Sequence, residues 1–491
     1  MPRPHLPKIL NSHFHFIWVV VFFIINGFNR QSQAIAFYEL LFLFFLLIVI
    51  LALFFTIANI FFKDFKKTGF FISITAILVL FFGVFQDAIG TIRVIAFFPR
   101  LPVFLSIVFA TIIILVTWIK YSKRSFKRST IYLNSLFLIY ILVEVGSNLT
   151  LTEPRHPRIP KSVVGKFCDT CAKPDVYLIV LDEYFGSTGL LACYGFDNSA
   201  FELNLKSKGF SVFSNTRSNY NLTIFSIASM LNMDYLPNMG AMTMKNRYAY
   251  TTAMSRIESN AVCEKFKQYG YRISNQSRFD MVDAPSTFSG LMPSKIQLIN
   301  SKTLYYKILK NLPFFLARTF RLSYFAEKIE NQTILDNKNI LTTALEKASN
   351  GNQTPTFAYL HLFMPHEPFA FDSIGRPVVA FWKRTSYLPL DKDNAYLQYL
   401  VYTNKKISDF LEQLMNATNR KAVILLMSDH GYRNIAHKEY KDSYQSLNAI
   451  YLPEKSTVHW YNGITNVNQF RVLFNTLFDS GLPLMKDSIV Q

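Results

Sequence analysis

The sequence predicts an N-terminal five-helix transmembrane bundle followed by a C-terminal α/β domain, with a largely parallel central sheet flanked by helices. Three observations predict it. Apolar residues, 51% of the 491, crowd into the first 150 positions as blocks of membrane-spanning length. After a proline-rich break, short apolar runs alternate with helical patterns, as in strand–helix–strand units. Two of those runs end in acidic residues, at Asp182-Glu183 and at Asp429-His430, where an open α/β sheet binds its ligands.

The five apolar blocks are Phe14–Phe28, Ile35–Phe62, Gly69–Ile89, Leu101–Tyr121 and Ile131–Val145. A cleaved signal peptide is the alternative reading of the first. Its length, the lack of a small-residue cleavage site and the four blocks that follow argue against it. Lys and Arg cluster at the amino terminus, at Lys63–Lys67 and at Lys120–Arg128. These segments are expected in the cytoplasm, which leaves the chain after about Ser147 on the other side. The outer loops near Asn29–Ala34 and Asp87–Arg100 carry fewer positive charges. The domains expected are a transmembrane part at 1–147, a linker at 148–173 and an extracytoplasmic domain at 174–491.

The net charge of +19 does not indicate nucleic acid, because part of the excess lies in those membrane-side loops. It suits an anionic membrane surface or a phosphate-bearing substrate. Of four cysteines, Cys168 and Cys171 read as a local disulfide or as two free thiols. A redox or zinc role lacks a second ligand pair.

The segment Thr152–Pro160 has three prolines and reads as an extended linker. Beyond it, strands are expected at Asp175–Leu181, Phe210–Phe213, Tyr271–Ser274, Thr356–Leu362, Val423–Met427 and Asn448–Leu452. Helices are expected at Phe201–Lys208, Thr223–Met233, Ala261–Gln268 and Tyr396–Met415. The aromatic-rich region Ser286–Asn352 shows no readable period. There are no internal repeats.

Four stretches could carry chemistry. Asp182 and Glu183 follow the first soluble strand and are either an acidic cap or metal carboxylates. Thr223 sits where a loop becomes a helix. It is either a helix cap or a nucleophilic hydroxyl beside the helix's positive end. Ser226 and Ser229 read as packing or backbone-bonded hydroxyls. His366, between Pro365 and Pro368 after a buried strand, could donate a proton or clamp an anionic oxygen. Asp429 and His430 together are ordinary equipment for a divalent metal. Arg217 and Arg433 are candidate anion contacts.

In this order, Asp182-Glu183, a hydroxyl at a helix start, His366-Glu-Pro-Phe and Ser428-Asp-His-Gly431 resemble the sulfatase branch of the alkaline phosphatase superfamily. The layout of spans and outward domain is similar to lipoteichoic acid synthases and phosphoethanolamine transferases. The resemblance implies one divalent metal (Mn, Mg, Ca or Zn) held by Asp182 or Glu183, Asp429 and His430. It also implies Thr223 as nucleophile and His366 as the substrate or acid histidine. The substrates implied are phosphate or sulfate esters of envelope lipids or glycans. One departure is plain: the Cys or Ser followed by Pro and Arg of true sulfatases does not occur after Asp182. That favours phospho-group transfer through Thr223. A sulfatase with an unmodified hydroxyl is the enzymatic alternative, and a catalytically silent envelope scaffold the non-enzymatic one. A transporter is disfavoured, because Glu39 and Glu144 lie near span ends.

Overall fold

Long apolar runs satisfy their own backbone only as helices in a bilayer, and the N-terminal runs are helical. The structure, a computed structural model, describes all residues except 1–7, 31–34, 36, 91–100, 150–167, 169, 237–246, 287, 289–298, 352–353, 379–388, 434–442, 454–458 and 491. The expected linker Thr152–Pro160 and parts of both expected outer loops lie outside the described residues.

The N-terminal helices are α1 (Phe16–Arg30), α2 (Phe37–Phe62), α3 (Phe65–Leu80), α4 (Phe82–Gly90), α5 (Leu101–Tyr121) and α6 (Lys127–Leu149). Among the described residues, three are long and apolar enough to cross a membrane: α2, α5 and α6. The pair α3 and α4 bends by 58° at Phe81 and would make a fourth. The first apolar block forms a helix of only 15 residues, shorter than a usual span. Five apolar blocks therefore give three or four candidate spans.

The chain folds into two compact units, Met1–Arg155 with Pro293–Pro313, and His156–Met292 with Phe314–Gln491. In the first, Phe42, Leu53, Phe54, Ile57 and Ile60 of α2 are exposed, as lipid-facing residues are. Its interior holds paired polar groups. The amides of Asn26 and Asn29 donate to the Glu144 carboxylate, and His15 Nδ1 lies 2.5 Å from Ser73 Oγ.

The second unit is a six-stranded sheet of β1 (Val176–Leu181), β2 (Ser211–Val212), β3 (Arg272–Gln276), β4 (Thr356–Leu362), β5 (Val423–Ser428) and β6 (Asn448–Tyr451). The order is β2-β6-β5-β1-β4-β3. The neighbours β5, β1, β4 and β3 are parallel, and β6 runs antiparallel to β5. The core strands β1, β4 and β5 are buried along their whole length, which is why they read as unbroken apolar runs.

Helices α7 (Ser187–Tyr194), α8 (Ser199–Ser207), α9 (Thr223–Asn232), α10 (Arg247–Glu258) and α11 (Ala261–Gln268) precede α12 (Leu304–Phe320), which begins in the first unit, and α13 (Tyr324–Ser349), α14 (Pro389–Ala417) and α15 (Asn466–Phe478) follow; apart from α12, they cover the two faces of the sheet. One face packs Val176, Leu178 and Val180 against α9, α11 and α15. The other packs Tyr177, Ile179 and Leu181 against α8, α13 and α14. The unassigned region Ser286–Asn352 contains the whole of α12 and α13. Cys168 and Cys171 form a disulfide.

Candidate metal centre

Parallel strands place their carboxyl ends on one edge, and register decides which side chains share a face. Val180 of β1 pairs with His361 of β4, and Leu181 pairs with Ser428 of β5. Asp182, two residues on from Val180, is therefore on the same face as His361. Asp429, one residue beyond Ser428, falls level with Asp182. That face is the one covered by α9.

The result is a buried group. One ligand atom each from Asp182, His361 and Asp429 lie within 4.8 Å of one another. Among the described residues, Asp182 Oδ1, His361 Nε2 and Asp429 Oδ2 have no hydrogen-bond partner. Buried carboxylate and imidazole atoms without partners are costly, unless a cation satisfies them. The other ring nitrogen of His361 is engaged, 2.7 Å from the Tyr359 hydroxyl. Such a partner fixes the ring with Nε2 toward the carboxylates.

His430 adjoins this group. Its Nδ1 lies 2.8 Å from the Gly431 carbonyl, which can only accept, so Nδ1 carries the hydrogen. Its Nε2 faces Asp429 Oδ2 at 3.2 Å. A carboxylate oxygen and a ring nitrogen so close need a proton or a cation between them. Thr223 Oγ1 lies 3.2 Å from the same nitrogen.

Thr223 is not the helix cap. Leu222 occupies that position, and Thr223 is the first helical residue. Its hydroxyl therefore sits beside the free N–H groups at the start of α9, where an anion is favoured. Ser226, one turn on, donates to the Asp429 carbonyl at 2.5 Å, and the Asn466 amide reaches the same carbonyl at 3.2 Å. These bonds hold the backbone of Asp429. Ser229 donates to the Asp234 carbonyl.

Glu183 lies outside the three-residue group. Its N–H donates to Asp429 Oδ1 at 3.0 Å, and its own carboxylate accepts from Arg433 Nε at 2.9 Å. Arg433 Nη2 reaches His366 Nε2 at 3.2 Å, while His366 Nδ1 faces the Glu367 carbonyl at 2.6 Å. His366, Arg433 and Glu183 are thus one connected set beside the acidic group. Arg217 is elsewhere: its side chain is exposed, and its backbone bridges Gln445 and Thr465.

The two buried aspartates shift in opposite directions. Burial would lift the Asp182 carboxyl, but His366, His361 and His430 hold it well below the usual carboxylate range. Burial and the neighbouring Asp182 charge raise Asp429, against the pull of His430 and His361. Two carboxylates that cannot comfortably ionise together fit a site for a divalent cation.

Sequence reading did not assign His361 a role or give Tyr359 one. Both lie inside an apolar strand, and only the β1–β4 register brings them to the site.

The sequence model of the sulfatase family, described as "Sulfatase", matches residues 174–471. No curated protein sequence matches the chain. Solved structures are similar at low identity. The periplasmic domain of EptC from Escherichia coli in complex with Zn is 13% identical, over 67% of this chain and 89% of that one, with a TM-score of 0.41. The soluble domain of lipooligosaccharide phosphoethanolamine transferase A from Neisseria meningitidis is 12% identical, over 64% and 91%, with a TM-score of 0.40. A 2-O GAG sulfatase is 12% identical, over 65% and 73%, with a TM-score of 0.37.

Proposed function

This chain belongs to the sulfatase family, and from that membership we propose a membrane-anchored, metal-dependent enzyme that transfers a phospho group between envelope lipids or glycans through Thr223. The observation that carries this reading is the Thr223 hydroxyl, 3.2 Å from His430 Nε2, which itself lies 3.2 Å from the unpartnered Asp429 Oδ2 of the Asp182–His361–Asp429 group. The helix start in this site presents a threonine, which favours phosphate over the aldehyde-hydrate chemistry of sulfate esters.

Asp182, His361 and Asp429 would hold one divalent ion, with His430 adjoining through Asp429. When bound, the ion neutralises anionic ester oxygens and makes a neighbouring hydroxyl more acidic. The protein's own residues do the rest. Thr223 Oγ attacks phosphorus in line, its proton passing to His430 Nε2. The Oγ–P bond forms as the P–O bond to the donor alcohol breaks. The free N–H groups of α9 and the Arg433 guanidinium stabilise the equatorial oxygens. Glu183 holds Arg433 in position. His366, when protonated, gives its proton to the departing oxygen. An acceptor alcohol, or water, then attacks the phosphothreonine and releases Thr223. The domain lies on the extracytoplasmic side, next to lipid-borne substrate.

Peptide mass spectrometry of the full chain in nanodiscs of bacterial envelope lipid tests this reading. The expected result is a phosphate-containing adduct on the peptide bearing Thr223, absent from Thr223→Ala. A Thr223→Ala protein that turns over phosphate esters as fast as the wild type would overturn it. Hydrolysis of sulfate esters without any adduct would favour the sulfatase alternative.

A further inference from the structure

Helix α12 (Leu304–Phe320) has two unlike sides. Tyr305, Leu309, Leu312, Leu316 and Phe320 recur at three- and four-residue spacing, so they share one face. Tyr305, Leu309 and Leu312 of that row are 67%, 52% and 40% exposed, as is normal at a lipid surface and unusual at a water surface. Lys307 lies opposite that row and Lys310 on its flank, with Phe314 two turns beyond Lys307, and the helix contains no acidic residue. A helix of this pattern lies in the plane of a membrane interface.

The chain just before it is already fixed to the membrane helices. Ile299 is 3% exposed and packs into the cluster that includes Val19, Val20, Phe23 and Ile24 of α1. The N–H of Gly83 in α4 donates to the Lys302 carbonyl at 2.6 Å, and Lys302 pairs with Asp87. Leu304 packs against Phe82 and Phe104. The apolar row of α12 thus continues directly from residues seated in the transmembrane unit.

We propose that α12 lies along the bilayer surface, with the Tyr305–Leu309–Leu312 row sunk among the upper acyl chains and Lys307 and Lys310 beside anionic headgroups. The occupant of this face is lipid. Continuity with the membrane helices and the two lysines away from the apolar row both favour it over a protein partner. Such a helix tethers the insertion between β3 and β4 to the layer where a lipid-borne substrate resides. The inference does not depend on which ester the enzyme acts on.

Site-directed spin labelling of the full chain in phosphatidylethanolamine/phosphatidylglycerol nanodiscs tests it. Single cysteines are placed at 305, 307, 309, 310 and 312 after Cys193→Ser and Cys263→Ala. Label at Leu203, an exposed lone leucine of the other unit, is the water reference. Label at Leu53 of α2 is the lipid reference. The expected result is an oxygen-to-nickel accessibility ratio several-fold higher at 305, 309 and 312 than at 307 and 310. Values equal to the Leu203 reference at all five positions would overturn the proposal. So would lipid-like values on both sides, which mean a buried or spanning segment. Low access to both reagents on the apolar face would also overturn it, since a protein then covers that face.

Discussion

Each side chain of the centre has one assignable task. Under the proposed function Thr223 would carry the transferred group, so Thr223→Ala should lower turnover of phosphate esters by about three orders of magnitude or more. Thr223→Ser should retain part of it, because the hydroxyl remains at the start of α9. Steady-state kinetics on a soluble phosphodiester reads both. Tyr359 acts through His361, to whose Nδ1 it hydrogen-bonds at 2.7 Å. Tyr359→Phe should weaken metal affinity by roughly 10–100-fold, measured by chelator competition, with the fold retained. An unchanged affinity would mean that His361 is not oriented for a metal. The carboxylates were legible in the sequence, because Asp182 and Asp429 each end an unbroken apolar run. His361 was not, because it sits among the apolar residues of β4 and nothing local marks its partner. Glu183 and Asp182 were indistinguishable in sequence. A left-handed turn at Glu183, with φ of 63°, separates them by sending the second carboxylate to Arg433.

At the level of elements, the site depends on how closely the end of β5 meets the strap from Ser443 to Ser446. Gly431 is the contact point. A Cβ there would lie 2.4 Å from the Gln445 carbonyl oxygen and 2.8 Å from Phe185. Neither the Gln445 backbone nor the fully buried Phe185 ring can yield cheaply. Gly431→Ala should destabilise the domain by about 1–3 kcal/mol. It should lower the unfolding temperature in a thermal scan, and an unchanged scan would show the strap to be loose. Parallel strands and their flanking helices were readable, since burial on both faces leaves continuous apolar runs. Helix α15 was not, because it is buried on nearly all sides and its buried polar residues Asn466, Asn468, Gln469 and Arg471 look like surface positions in sequence. Helix α12 escaped for the opposite reason. Its apolar face does not point into a protein core, so its pattern belongs to no packed layer of the domain. The first apolar block shows the limit of hydropathy, since its helix is only 15 residues long.

Across the whole molecule, the apolar N-terminal helices and the sulfatase domain form separate compact units, and the proposed metal ion would sit in the second, where Asp182, His361 and Asp429 meet. Stripping it with a chelator should lower the unfolding temperature of the sulfatase unit while leaving the helical signal of the membrane unit in place. Restoring the ion at 100 to 1,000 times its dissociation constant should return about 3–4 kcal/mol. Two separate transitions by circular dichroism and intrinsic fluorescence would report this. A single transition insensitive to chelator would contradict it. The most direct measurement is elemental analysis of the purified full-length protein by inductively coupled plasma mass spectrometry, alongside Asp182→Asn and His361→Ala. The account predicts one divalent ion per chain in the wild type and loss of that ion in both variants. A wild type without metal after growth and dialysis in Mn, Mg, Ca and Zn, or variants that keep the ion undiminished, would contradict it.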